Sequence, residues 1–321
     1  MRPDFRAGAG TRSERIRTRN AERIVGIVDF ILNLAGLLLW VNWRAAVFDP
    51  LSRATPATLA GTLRRAEPAR ARPWHFLAAI GVLLVVRAFF YAHLAPALEW
   101  TPRLDLVATR LPFPADLRVF RHTFGWMLLY SGLSFALTLA VFFLWLLLFS
   151  LLGGGGPDSF FLGRLTRLHL GRLERWPAWA RASLPLWGGA LGWFALSWPL
   201  GALGLLPHPP SEWARAGQAV LIGLSAYTTW KYPLALLLGL HLLGSYVYFG
   251  PHPIWNYSHE TARRLLRPLA GWPLRVAKMD LAPVVALALI FLLARLVEEG
   301  LPLGAGYRVP GLADLFRLTT R

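Results

Sequence analysis

Long apolar runs, parted by short polar stretches rich in proline and arginine, make up most of this chain. They extend from Ile24 to Trp43, from Pro73-Trp74 to Leu98, from Phe124 to Leu152, from Leu184-Pro185 to about Leu206, across Glu212 to Phe249, and from Asp280 to Glu299. A straight helix needs about 20 predominantly apolar residues to cross the hydrocarbon core of a bilayer. The run from Phe124 is longer than that, which implies tilt or an interfacial first turn. The run from Glu212 is longer still, and Trp230-Lys231-Tyr232-Pro233 divides it. It reads either as one kinked helix or as a span over Tyr232–Phe249 preceded by a shallow segment. The expected fold is therefore all-α: a polytopic transmembrane helical bundle of about three helical hairpins, with interfacial amphipathic basic segments between them.

The polar positions inside these runs carry the most information. Asp29 and Asn33 are four residues apart in the first run, so they share one helix face. Arg87 lies well inside the second run. A guanidinium at that depth costs several kcal/mol unless it snorkels or pairs. In an antiparallel hairpin Asp29 and Arg87 sit toward the same end, so an intramembrane ion pair between them is expected. At the chain's end, Leu312, Leu315, Phe316 and Leu318 are spaced as on an amphipathic surface helix.

Between the runs, turns and basic segments alternate. Turn prolines stand at Pro50, Pro157 and Pro251, and second markers at Pro73-Trp74, Trp176-Pro177 and Trp272-Pro273. The arginines gather in the same places, with Arg64 and Arg65 in the first segment, Arg164 and Arg167 in the second, and Arg263, Arg264 and Arg267 in the third. This order predicts a basic tail over 1–23, hairpin units over 24–98, 99–206 and 207–300, and a surface tail over 301–321. The repetition suggests three tandem units. Positive-inside topology then places all three basic segments on the cytoplasmic side, against anionic headgroups or partner proteins. The arginine-rich tail opposes this. Either it crosses despite its charge, or Ile24–Trp43 does not fully cross.

The most sharply marked helix start is Met279-Asp280-Leu281-Ala282-Pro283. Asp280 suits the N-cap, and Pro283 falls where a missing N–H costs nothing. The order Glu260, Leu266-Arg267-Pro268, Pro273 and Asp280-Leu281-Ala282-Pro283, leading into an apolar helix, resembles the YggT/YlmG family of small bacterial and plastid integral membrane proteins. Ala282 stands where that family has serine, Ala277-Lys278 where it has a Gly-rich step, and Ala270-Gly271 where an arginine is usual. The resemblance implies a two-helix hairpin domain. It also implies a role in envelope organisation, cell division, osmotic tolerance or cytochrome assembly, and it supplies no catalytic residues.

Composition agrees with a membrane protein. Of 321 residues 55% are hydrophobic and only 16% charged, against about 25% in soluble domains. The net charge is +17. Its place in the tail and the loops argues for anionic lipid rather than nucleic acid. The absence of cysteine removes disulfides, thiol nucleophiles, iron–sulfur clusters and zinc thiolates. No His-Glu-x-x-His, phosphate loop or Gly-x-Ser-x-Gly elbow occurs. His241, within the fifth run, reads as a helix-packing hydrogen bonder rather than a haem ligand. His252, His259 and Glu260 read as interfacial polar residues. No catalytic residue, cofactor or metal is expected. The reading is a non-enzymatic, multi-pass protein of the inner (plasma) membrane that organises or assembles membrane partners or copies of itself. A small-solute or ion transporter or channel is the alternative, and would need water to reach Asp29, Arg87 or Lys231.

Overall fold

The apolar runs fold as helices in the computed structural model. It describes residues 12–48, 72–97, 100–114, 120–153, 161–207, 209–247, 250, 253–269, 271–272, 274–276, 279–302 and 308–320. The chain divides into two compact units, one of Met1–Leu104 with Pro112–Leu139 and the other of Asp105–Leu111 with Ala140–Arg321.

The first unit contains α1 (Arg12–Phe48), α2 (Pro73–Ala97) and the opening part of α3 (Phe120–Leu152). Helix α1 begins well before the apolar run, inside the basic tail. Pro73 is the first residue of α2, where its missing N–H breaks no helical bond. Among the described residues, these helices hold the three segments long and apolar enough to cross a membrane: Arg23–Val47, Pro73–Ala95 and Thr123–Leu152. α1 and α3 approach closely at Gly36, where an added Cβ would stand 2.8 Å from the ring of Phe135. The stretch after α2 carries two short paired strands, β1 (Arg103–Asp105) and β2 (Arg110–Pro112). Alternation along it buries Leu104, Leu111 and Phe113.

In the second unit α4 (Phe161–Leu170) turns through a 3-10 segment, Gly171–Arg175, into α5 (Ala178–Ala202). The side chain of Arg181 ties α5 to the end of α3 by donating to the Ser150 carbonyl, 2.8 Å away. Helix α6 (Glu212–Ser225) is capped by Ser211, whose hydroxyl accepts the Ala214 N–H at 3.1 Å. It lies against α5 so tightly that a Cβ on Gly223 would be 2.3 Å from the Leu186 carbonyl oxygen. Such backbone contact is what small residues permit between apolar helices. The long fifth run resolves into α6, a 3-10 step at Ala226–Trp230, and α7 (Lys231–Tyr246). The helical path thus continues through the step, with Pro233 buried in the first turn of α7.

Helix α8 (Pro253–Leu266) packs on α7, and α9 (Ala282–Glu299) packs on both. Leu238, Ala262, Leu266, Ala282 and Ala286 form the core they share. A two-residue ribbon, β3 (Arg275–Val276) with β4 (Met279–Asp280), leads into α9. Helix α9 starts at Ala282, and its cap position is Leu281, one residue later than the sequence suggested. Asp280 still serves the helix start, since its Oδ1 accepts the Ala282 N–H at 3.0 Å. Strands β5 (Gly300–Pro302) and β6 (Arg308–Pro310) then return the chain to α10 (Leu312–Leu318). Phe316 of α10 meets Trp193 of α5 edge-on, with ring centroids 5.7 Å apart.

Six spans were expected, and three of the described helices meet the length and apolarity of one. The physical reasons differ by helix. Helix α5 carries Pro185 and Pro199 among Gly, Ser and Trp. Helices α6 and α7 have 14 and 16 residues, fewer than the about 20 of a straight span. Helix α9 has 18 residues and ends in Arg295, Glu298 and Glu299.

Candidate functional site

Two polar sites stand out, one in each unit. In the first unit, three helices each contribute a pair of polar residues at i, i+4: Asp29 and Asn33 from α1, Arg87 and Tyr91 from α2, Tyr130 and Ser134 from α3. That spacing places each pair on one helix face, so three polar faces converge. The Arg87 side chain is 1% exposed and pairs through Nη2 with Asp29, whose side chain is 17% exposed. Its Nη1 donates to Asn33 Oδ1 at 2.7 Å. The Tyr91 hydroxyl donates to Asp29 Oδ1 at 2.9 Å. Asn33 Nδ2 reaches the Ser134 hydroxyl at 3.0 Å and Asp29 Oδ2 at 3.2 Å. The Ser134 hydroxyl donates to Asp29 Oδ2 at 3.3 Å.

Aromatic rings close over this hub. The guanidinium carbon of Arg87 lies 5.5 Å from the Tyr91 ring centre and 5.7 Å from that of Tyr130, within cation–π range. Trp100 meets Tyr91 edge-on at 5.3 Å, and Phe113 meets Tyr130 at 5.4 Å. Trp100 and Phe113, which flank the strands, therefore supply part of the wall. Cation and carboxylate neutralise each other, and hydrogen bonds hold both in place. Such an arrangement makes buried charge tolerable.

The second site is a cavity of 860 Å³ between α7, α8 and the start of α9. Its polar lining comes from His241, Ser245, His259, Arg263, Arg267 and Asp280. Along α8 and its 3-10 continuation, His259, Arg263 and Arg267 follow at four-residue steps, forming one stripe. His241 arrives from α7, with its ring centre 4.5 Å from that of His259. It is 8% exposed, and its buried Nδ1 has no hydrogen-bond partner. The helix-packing hydrogen bond expected of this histidine is thus not made through Nδ1. Burial, and then the Arg263 charge, push the His259 imidazole below its ordinary pKa, while Glu260 acts the other way. Among the described residues no group of three or more His, Asp or Glu side chains converges as a metal site.

The remaining basic candidates are scattered. Arg64 and Arg65 lie outside the described residues, as does the side chain of Arg164. Arg167 is exposed on α4 and sits 3.8 Å from Glu174. Arg264 is exposed and donates to the Leu152 carbonyl at 3.3 Å. Arg263 and Arg267 are both exposed and line the cavity. Pro283 also lines it, beside the Asp280 carboxylate. Lys231, in the stretch that divides the fifth run, forms an ion pair with Glu298 at 2.6 Å. The pair joins the start of α7 to the end of α9, so the two helices run antiparallel.

Sequence reasoning missed Tyr91, Tyr130 and Ser134. The signal that finds them is a polar residue four positions from another inside an apolar run. It missed the His241–His259 contact too, for which the sequence holds no signal, since the residues lie on separate helices. Comparison with family models, with curated proteins and with solved structures finds no match for this chain.

Proposed function

We propose that this chain is a non-enzymatic, multi-pass membrane protein of YggT type that organises or assembles membrane partners, seated in the inner (plasma) membrane. One observation carries the reading: the chain is polar inside and apolar outside where its spans are, and basic where its short helices are. In the first unit the charged and hydroxyl groups turn toward one another. Ile27, Phe30 and Ile31 of α1 and Val82, Val85, Phe89 and Phe90 of α2 are exposed. Water tolerates such a surface poorly, whereas hydrocarbon or another apolar helix matches it. In the second unit α8 buries Ser258, Thr261, Ala262 and Leu266 against its neighbours and leaves Arg263 and Arg264 exposed. A helix with that division suits the headgroup layer, where its cations meet anionic lipid or an acidic partner.

The transporter alternative requires water and solute to reach Asp29 and Arg87. The pairing of Arg87 Nη1 and Nη2 with Asn33 and Asp29 supports a fixed strut instead, although Arg87 Nε has no partner among the described residues. The test is affinity capture of the full-length protein in mild detergent, comparing wild type with the triple substitution Arg263→Glu, Arg264→Glu, Arg267→Glu. The reading expects a defined set of co-purifying membrane proteins and anionic lipids to be lost. Identical sets, or ion or solute flux through reconstituted vesicles that Arg87→Leu abolishes, would overturn it.

A further inference from the structure

The cavity beside α8 differs from a diffuse basic surface, because its cations line a concave, half-open volume together with apolar residues. Arg263 and Arg267 project from successive turns, and among the described residues no carboxylate lies within ion-pair distance of either. Among the described residues Asp280 is the only carboxylate in the lining, and its Oδ1 is engaged by the Ala282 N–H. Leaving the imidazoles aside, two guanidiniums against one carboxylate give the described lining residues one net positive charge. Leu266, Leu269, Leu274, Ala282 and Pro283 add an apolar part to the lining. Trp272, 62% exposed, stands among the lining residues, as tryptophans do at the boundary between headgroups and hydrocarbon. His241, nearly buried and with an unpartnered Nδ1, adds a polar group to the lining.

We propose that this cavity holds the headgroup of one anionic phospholipid, with Arg263 and Arg267 gripping the phosphodiester and the apolar lining residues guiding its chains. A phosphodiester bears one negative charge, which matches the lining. Guanidinium forks bind phosphate oxygens in parallel pairs, a geometry that a point cation does not offer. The cavity is larger than a bare phosphate requires, and the apolar lining residues would be wasted on one. The inference rests on α8 lying at the membrane surface, as proposed above, and adds that one lipid is bound there at a defined site.

The experiment is a lipid titration of the full-length protein in neutral detergent, read by native mass spectrometry. Dioleoylphosphatidylglycerol is compared with dioleoylphosphatidylcholine, each with and without excess inorganic phosphate. The protein is expected to hold one phosphatidylglycerol about tenfold more tightly than phosphatidylcholine, and to keep it in the presence of phosphate. Arg263→Gln and Arg267→Gln should each weaken it about tenfold, the loss of one charge-assisted contact. Ser245→Trp fills the cavity without removing charge and should weaken it equally. Ser245, Arg263 and Arg267 are exposed, so these variants should keep the wild-type circular dichroism spectrum. Arg172→Gln, an exposed arginine elsewhere in the same unit, should leave binding within about twofold. Equal losses in Arg172→Gln, or none in Ser245→Trp, would overturn the cavity site while leaving the basic-surface reading intact. Equal affinity for the two lipids, or displacement by inorganic phosphate, would overturn the lipid itself.

Discussion

Replacing Arg87 with leucine removes the cation from the polar hub and leaves its partners in place. Asp29 would keep donors from Tyr91, Asn33 and Ser134, but no compensating charge. Breaking a buried ion pair by removing one partner costs about 3–5 kcal/mol. Asp29 is 17% exposed and retains hydrogen bonds, which places Arg87→Leu near the lower end, at about 3 kcal/mol. That is more than a hundredfold in the folding equilibrium. The double substitution Asp29→Leu with Arg87→Leu removes both charges, and should lie within about 1 kcal/mol of wild type, because neutral packing replaces a pair whose attraction mainly repays desolvation. The assay is equilibrium unfolding of the full-length protein in mixed micelles, following tryptophan fluorescence, on wild type, both single variants and the double. The cycle should return a coupling of at least about 2 kcal/mol. Additive effects, or an Arg87→Leu protein as stable as wild type, would refute the claim that this pair organises the three helices.

Other predictions test the second unit. Gly223→Leu forces a side chain into the Leu186 carbonyl and should destabilise α5 against α6 by about 3 kcal/mol or more, since overpacking alone costs 1–3; the same unfolding assay reads it. The Lys231–Glu298 pair is 15% and 23% exposed, so Glu298→Gln should cost about 1–3 kcal/mol, between surface and buried pairs. Exchanging the two residues should recover part of that loss. His259 has its pKa lowered by burial and by Arg263, with Glu260 on its own helix opposing and the His241 ring facing it from α7. Its folded form therefore binds protons less readily than the unfolded chain. The stability it confers is present above its ordinary pKa of about 6.5 and falls as pH drops below that value. Melting curves from pH 7.5 to 5 should show a steeper decline for wild type than for His259→Gln, and equal slopes would count against the assignment.

How much of this was legible depended on whether the information was local. Apolar length marked the helices of the first unit, because a run of uniform hydropathy needs no partner to declare itself. The matched depth of Asp29 and Arg87 was readable for a similar reason, since polar residues in such runs must find each other. The third corner, Tyr130 and Ser134, was readable in principle by the same four-residue spacing. The division of the fifth run was signalled by Trp230-Lys231-Tyr232-Pro233, yet the choice between one kinked helix and two segments required the 3-10 step itself. Long-range partners were opaque: the sequence does not say that Lys231 meets Glu298, or that α6 packs on α5 through Gly223. The ribbon around Phe113 was hidden because its strands are only three residues long, too short for an alternation to stand out.

The account depends most on hydrocarbon surrounding the outer faces of α1 and α2. The sequence has no cysteine, so a single introduced thiol reports on one position. Phe30→Cys and Val85→Cys, both at exposed apolar positions, should resist a membrane-impermeant maleimide in intact membranes and react once detergent is added. Arg167→Cys and Arg263→Cys should react without detergent, and from one side of sealed vesicles only. Rapid labelling of positions 30 and 85 in intact membranes would contradict the account.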